Sequence, residues 1–235
     1  MADARLMPCS ARTLAGLEPS LAGELAGFGA VGVTERPRAV TFRADARTLA
    51  RIVAGSRLAL RVHRVLYRER IRGAEDLYEA VASWDWNRWI SPDQTLAVDA
   101  IVHGNRAFDN THFVALKTKD AIVDRVRMKR GRRPSVDLRR PDLRVQVRIG
   151  GPELEVAVDA SGEALHRRGY RSASVAAPLN EVLAAGLLDL AGYDGQTPFA
   201  DPCCGSGTIA IEAACLATRR APVLLRQEDP ALLRW

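Results

Sequence analysis

Residues 143–158 admit few folds. Leu143, Val145, Val147 and Ile149 alternate with Arg144, Gln146 and Arg148, and Leu154, Val156 and Val158 repeat the alternation after Gly150-Gly151-Pro152. A period of two gathers the apolar residues of each run on one face of an extended chain. The glycine-rich turn between the runs makes them an antiparallel hairpin. A lone hairpin is marginal in water, so its apolar face has to be covered. The helix expected to cover it runs from about Thr111 to Met128, with Phe113, Leu116, Val123 and Val126 as its stripe and Asp120 as an interruption. A helix around Glu75–Ser83, the run Trp84-Asp85-Trp86-Asn87-Arg88-Trp89 and a strand at Leu96–Val102 complete a unit over 68–160. The three tryptophans can anchor a helix on the sheet or stack on bases; anchoring is the preferred reading.

The other face of the hairpin is basic, and so is the chain before it. Residues 117–148 hold twelve Lys or Arg against four Asp, a surplus larger than the net charge of +6 carried by all 235 residues. Such a field attracts polyanions and gains affinity by releasing their counterions. The candidate RNA contacts are Lys117, Lys119, Arg125, Lys129, Arg130, Arg132, Arg133, Arg144 and Arg148. The bland alternative is a solvated helix face rich in arginine.

Residues 6–67 read as a second α+β unit. Strands are expected at Leu6–Cys9, Val31–Glu35, Ala39–Arg43 and Leu58–Tyr67. One helix carries Leu17, Leu21, Leu25 and Phe28, with Pro19 tolerable in its first turn. Another carries Leu49, Ile52 and Val53 behind Asp45 as N-cap. The order β-α-β-β-α-β is ferredoxin-like.

Composition excludes several classes. Hydrophobic content of 47% is ample for packed cores. No apolar run approaches the roughly 20 residues of a membrane span, and the N-terminus lacks signal-peptide features, so a cytoplasmic protein is expected. Cys9, Cys203, Cys204 and Cys215 show no metal-ligand spacing, and none of the four histidines has a second ligand at metal spacing, so no metal is expected.

Residues 161–177 lack periodicity and read as a linker. A helix then resumes with Leu179, Leu183, Leu187 and Leu190 on one face. Thr197–Ala200 would enter a short strand ending at Asp201, and Gly205-Ser206-Gly207 would turn the chain into a helix near Thr208. Glycines suit a backbone that turns sharply and approaches a ligand closely, and helix N–H groups would then face the crevice beyond the strand. Gly205-x-Gly207-x-x-Ala210 alone also fits a dinucleotide fingerprint. Asp201 ahead of the glycines would repel a pyrophosphate and accept from an amino-acid-like ligand, which favours S-adenosylmethionine (SAM).

The stretch Asp201-Pro202-Cys203-Cys204-Gly205-Ser206-Gly207-Thr208 through Ala214 resembles the first cofactor motif of THUMP-domain RNA methyltransferases. Asn110–Lys117 with Lys119–Ile122 is similar to the family's THUMP helix, and Leu165–Arg171 with Ala177-Pro178-Leu179-x-Glu181 to the segment that joins THUMP to the catalytic domain. The likeness is to the bacterial group that makes N2-methylguanine in 23S ribosomal RNA (the RlmL type). Cys203 and Asn180 depart from it, where a bulkier apolar residue and a basic one are expected.

The resemblance implies an α+β N-terminal part, a ferredoxin-like domain at 1–67 and a THUMP domain at 68–160. After the linker 161–177, residues 178–235 would start a truncated α/β Rossmann-like methyltransferase domain with only its first βα unit. Asp201, Pro202, Cys204, Gly205, Ser206, Gly207 and Thr208 would bind SAM, with Thr208 capping the helix and Glu212 on its face. The family's Pro-Pro motif for the target base is missing, and no Pro-Pro pair occurs in the chain. No catalytic residue is therefore assigned, and the chain alone is expected to bind structured RNA with weak or no turnover. The apolar faces of its helices 179–190 and 209–217 would have lost most of the sheet they should cover. Transfer RNA as substrate, a non-catalytic RNA-binding adaptor and, far behind, a nucleotide-dependent oxidoreductase are the alternatives.

Overall fold

The computed structural model describes residues 5–171 and 178–226. They fall into two compact units, one made of the described residues up to Val62 with those from Glu163 onward, the other of His63–Gly162.

The first unit opens with β1 (Met7–Arg12), α1 (Glu18–Gly27), β2 (Val31–Arg36), β3 (Ala39–Ala44) and α2 (Ala46–Gly55), followed by the first residues of β4 (Arg61–Arg70). Strands β2, β3 and β1 lie side by side and antiparallel, with Met7 opposite Ala44. The chain returns beside β1 at Leu60, whose N–H donates to the Arg12 carbonyl (2.7 Å). The expected order β-α-β-β-α-β is present. Local chemistry explains its helices. Pro19 stands in the first turn of α1, where its missing N–H leaves no helical bond unmade. The Asp45 carboxylate accepts from the Thr48 N–H (2.7 Å) as N-cap of α2. Leu21, Leu25, Leu49, Ile52 and Val53 are buried as the periodicity predicts.

The second unit contains the rest of β4 with α3 (Ala74–Ser83), β5 (Thr95–His103), α4 (Thr111–Arg130), β6 (Ser135–Val136), β7 (Leu143–Gly150) and β8 (Glu153–Asp159). Its strands run in the order β4-β8-β7-β5-β6. Strands β7 and β8 form the expected hairpin, Val147 opposite Val156. Strand β5 lies parallel to β7 with Val98 opposite Val145, and short β6 is parallel to β5. The alternation in 143–149 is fully realised: Leu143, Val145, Val147 and Ile149 are buried and the residues between them are half-buried. Trp86, in a single 3-10 turn at Trp86–Arg88, is fully buried, and its indole N–H donates to the Val81 carbonyl (2.7 Å). Trp84 stacks on Tyr67 (4.9 Å between ring centroids), and Trp89 lies under the Arg64 guanidinium (4.7 Å). All three tryptophans are engaged inside the unit.

The stripe expected on α4 is corrected. The buried face is Val114, Thr118, Ala121, Ile122, Val123 and Val126, while Phe113 and Leu116 are exposed. Spacings of four and three from Val114 define a face that places Asp120 outward, so it interrupts nothing. The helix is capped by Asn110, whose side-chain oxygen accepts from the N–H groups of His112 (2.8 Å) and Phe113 (3.2 Å), and it ends at Gly131 with φ 73°.

The first unit also holds α5 (Glu181–Leu190), α6 (Thr208–Ala217) and a 3-10 turn at Pro222–Leu225. Here the expected leucine stripe is on the wrong face. Val182, Ala184, Ala185, Gly186 and Leu188 are buried, whereas Leu187 is exposed and Leu190 is 65% exposed. The cause is close approach: a Cβ on Gly186 would stand 2.5 Å from Leu17 Cδ1, so the small-residue face is the one that fits against the start of α1. The strand expected at 197–200 does not form among the described residues. That segment is irregular and exposed, and no described strand pairs with it to make a ladder. The expected linker is not loose chain either: Ser161, Leu165 and Arg168 are buried. Its residues 172–177 lie outside the described residues.

Candidate functional site

The loop at 201–208 is built by backbone conformation. Gly205 (φ 53°) and Gly207 (φ 74°) are both left-handed, which side-chain-bearing residues rarely adopt. The Gly207 N–H closes a tight turn on the Cys204 carbonyl (2.7 Å), and the Ile211 N–H donates to the Gly207 carbonyl (2.8 Å) to start α6. Gly207 therefore occupies the cap position and makes no side-chain bond. Thr208, expected as the cap, is instead the first helical residue and is buried. The first-turn N–H groups of α6 are left without a side-chain acceptor, the arrangement that receives a ligand oxygen or carboxylate. Among the described residues no atom beyond its own chain neighbours lies within 4 Å of where a Cβ would stand at Gly205, so there is open space beside it. Asp201 is half-buried and shapes the loop by accepting from the Cys203 N–H (3.1 Å). Pro202, Cys203, Cys204 and Ser206 are exposed. A ligand with an amino group and a carboxylate fits this donor set.

Behind the loop lies a polar cluster that sequence reasoning missed. Arg168, 1% exposed, donates to the carbonyls of Leu165 and Arg57 (2.6 Å to the latter) and meets the Glu212 carboxylate at 3.4 Å. Glu212, 2% exposed on α6, also accepts from the Tyr170 hydroxyl (3.2 Å) and pairs with Arg57 at 3.7 Å. Burial, with Glu212 beside it, pushes the Tyr170 phenol up. Arg57 donates to the carbonyls of Cys215 (2.9 Å) and Arg220 (2.6 Å). Glu24 accepts from the Ser56 hydroxyl and the Arg57 N–H, and burial raises its carboxyl above the usual range. Arg171 donates to Glu181 (2.7 Å), to the Leu179 carbonyl and to the Thr208 hydroxyl (3.4 Å). Gly169 (φ 84°) allows the chain between Arg168 and Tyr170 to pass against the Leu225 carbonyl, where no Cβ would fit. The arginine-glycine-tyrosine-arginine run was the available signal, but nothing in its spacing named Glu212 as partner. Asn180, where a basic residue was expected, is the N-cap of α5, accepting from the N–H groups of Val182 (2.9 Å) and Leu183 (3.3 Å).

The nine candidate RNA contacts separate into two groups. Lys117 pairs with Glu75 (3.2 Å), Lys119 with Asp120 (2.6 Å), Lys129 with Asp85 (3.4 Å), Arg132 with Asp93 (2.8 Å) and Arg144 with Asp99 (2.9 Å). Arg125 is half-buried with its Nε enclosed, and Arg148 stands opposite Glu155 in the hairpin. Arg130 and Arg133 are exposed and have no ion pair among the described residues, and the same holds for Arg127. These three collect around the last turn of α4 and the residues just after it, beside exposed Met128. Among the described residues no cluster of three or more His, Cys, Asp or Glu could hold a metal ion, and no helix is long and apolar enough to cross a membrane.

Known families match the chain in succession. Residues 9–63 match the RlmL ferredoxin-like domain, residues 72–159 the THUMP domain and residues 168–234 the RMKL-like methyltransferase domain. The chain is 46% identical over 217 residues to ribosomal RNA large subunit methyltransferase K/L of Pseudomonas putida (strain W619), a match covering 90% of this chain and 30% of that protein. The protein of the same name from Magnetococcus marinus is 45% identical over 221 residues, covering 92% and 30%. The chain thus spans about 30% of the length of these relatives. Among solved structures it is similar to a predicted N6-adenine-specific DNA methylase from Listeria monocytogenes (TM-score 0.86, 29% identity, 98% of this chain and 60% of that one). It is also similar to SMU.472, solved as a complex with SAH (TM-score 0.85, 26% identity, 98% and 60%).

Proposed function

We propose that this chain, which matches an RlmL ferredoxin-like domain, a THUMP domain and an RMKL-like methyltransferase domain in succession, serves methyl transfer from SAM to guanine N2 of large-subunit ribosomal RNA. In this division of labour residues 1–67 and 68–160 dock structured RNA, and the segment from 178 onward presents the cofactor loop. The observation that carries the proposal is the open, left-handed glycine turn ahead of the uncapped α6, with Asp201 at its entrance. SAM supplies an electrophilic methyl group on a sulfonium. Asp201 would accept from its amino group, the first-turn N–H groups of α6 would receive its carboxylate, and Gly205 and Gly207 would leave it room. Pro202, Cys204 and Ser206 line the exposed side of the turn, and Thr208 holds the turn to the helix. The protein's further contribution is orientation of the attacking amine.

Calorimetric titration with SAH, the demethylated product form, tests the loop. A one-to-one complex is expected. Asp201→Asn should weaken it about ten- to hundredfold, since a charge-assisted hydrogen bond contributes ~1.5–3 kcal/mol. An Asp201→Asn chain that binds SAH as well as its parent, or a parent that binds NAD in preference, would overturn the assignment.

The RNA interface is tested by salt dependence. Each phosphate contact adds roughly 0.7–0.9 to the slope of log affinity against log salt. The triple variant Arg127→Ala, Arg130→Ala, Arg133→Ala should reduce that slope by about two for a ribosomal RNA hairpin. Lys117→Ala with Arg144→Ala should change it little, because both cations already have carboxylate partners. Equal losses from the two sets would refute the division, and tighter binding of transfer RNA or DNA would move the substrate.

A further inference from the structure

We propose that Arg171 is a positioning residue for the cofactor loop, acting through Thr208; this rests on the reading of 201–208 as the SAM site. The loop cannot fix its own place. Pro202 to Ser206 are exposed, and Gly205 and Gly207 have no side chains with which to pack. Position must come from the first residue after the turn that is buried and bonded, which is Thr208. Its hydroxyl lies 3.1 Å from the Ser206 hydroxyl on one side and 3.4 Å from Arg171 Nη2 on the other. The same guanidinium donates from Nε to buried Glu181, the first residue of α5, and from Nη2 to the Leu179 carbonyl. Arg171 thus ties the start of α5 to the start of α6. One helical turn beyond Thr208, on the same face, Glu212 is held by Arg168, Tyr170 and Arg57. Two anchors a turn apart fix both the axial position and the rotation of α6, and with them the direction of its free N–H groups.

Guanidinium geometry is essential to this role. Three acceptors are met in a fixed planar arrangement that the single ammonium of lysine does not reproduce. Lysine should therefore fail to rescue, although it keeps the charge. Arg168 and Glu212 anchor the helix body and determine stability. Arg171 reaches the residue next to the glycines and determines loop geometry.

The test compares the chain with Arg171→Ala, Arg171→Lys, Thr208→Val and the double Arg171→Ala/Thr208→Val, by amide hydrogen exchange without ligand and by SAH titration. Expected are faster exchange confined to amides 205–211, SAH affinity lower by about tenfold in each single variant, and a double variant no worse than either single one. Exchange in α1 and β3 and the unfolding midpoint should stay near parental values. Parental exchange at 205–211 in Arg171→Ala, or losses that add in the double variant, would overturn the role of Arg171 while leaving the SAM assignment standing. If the unaltered chain takes up no SAH, the cofactor reading falls and the purpose assigned to Arg171 falls with it.

Discussion

Arg168→Met lowers the stability of the chain by roughly 3–5 kcal/mol, read as a lower urea midpoint at unchanged slope. Methionine keeps much of the volume and removes the charge, so packing is not the main loss. What remains is Glu212, a carboxylate 2% exposed, with only the Tyr170 hydroxyl and a 3.7 Å contact to Arg57 to offset its desolvation. The Leu165 and Arg57 carbonyls lose a charged donor as well. The sign of a second substitution makes the expectation specific. In Arg168→Met/Glu212→Met no buried charge is stranded at that site, and replacing a whole buried pair with apolar side chains is often close to neutral. The double variant should therefore recover part of the loss, with Tyr170 and Arg57 setting what is not regained. A single variant that loses less than about 1 kcal/mol, or a double variant worse than the sum of its parts, would show that the pair is not the anchor described here.

Trp86→Ala should be comparably damaging, roughly 3–5 kcal/mol, through the cavity left by a fully buried indole. The Val81 carbonyl also loses its donor. This substitution separates the two roles open to the tryptophans. A base-stacking platform would lose RNA affinity on truncation while the unfolding midpoint stayed put. A core anchor loses the midpoint first, and RNA binding survives at temperatures where the unit remains folded. Calorimetry and RNA titration on the same variant distinguish them, and an unchanged midpoint would refute the anchor role. Trp84 on Tyr67 and Trp89 under Arg64 each have one ring face occupied within the unit.

Where a residue's role is decided by its chain neighbours, it could be read from the sequence. Asp45 caps α2 and Pro19 sits in the first turn of α1 because capping and helix initiation depend on the next three or four residues. The hairpin at 143–159 was legible because strict alternation leaves one way to bury its valines. The positive φ of Gly205 and Gly207 follows from the same local logic.

Faces and partners were not legible. Helix α5 is apolar nearly all round, so its leucines and its alanines were equally available to a neighbour. Contact with Leu17 chose the side where Gly186 lets the helix approach, leaving Leu187 and Leu190 outside. On α4 the exposed Phe113 and Leu116 imitated a stripe that belongs to Val114, Thr118 and Ile122. The basic stretch showed its charge in the sequence, but carboxylates 39 to 45 residues away neutralise Lys117, Lys129, Arg132 and Arg144, and only the fold brings them there.

The glycine turn at 205–207, the ferredoxin-like order and the basic character of residues 117–148 could be read locally, because each is set by neighbours within about one turn or one strand pair. How the turn is held depends on residues far apart in the chain. Arg168 and Glu212 are 44 residues apart, and Arg57 lies farther still from its acceptors on the Cys215 and Arg220 carbonyls. Buried charges persist only with partners, and which partners they find depends on the path of the whole chain, which no local period records.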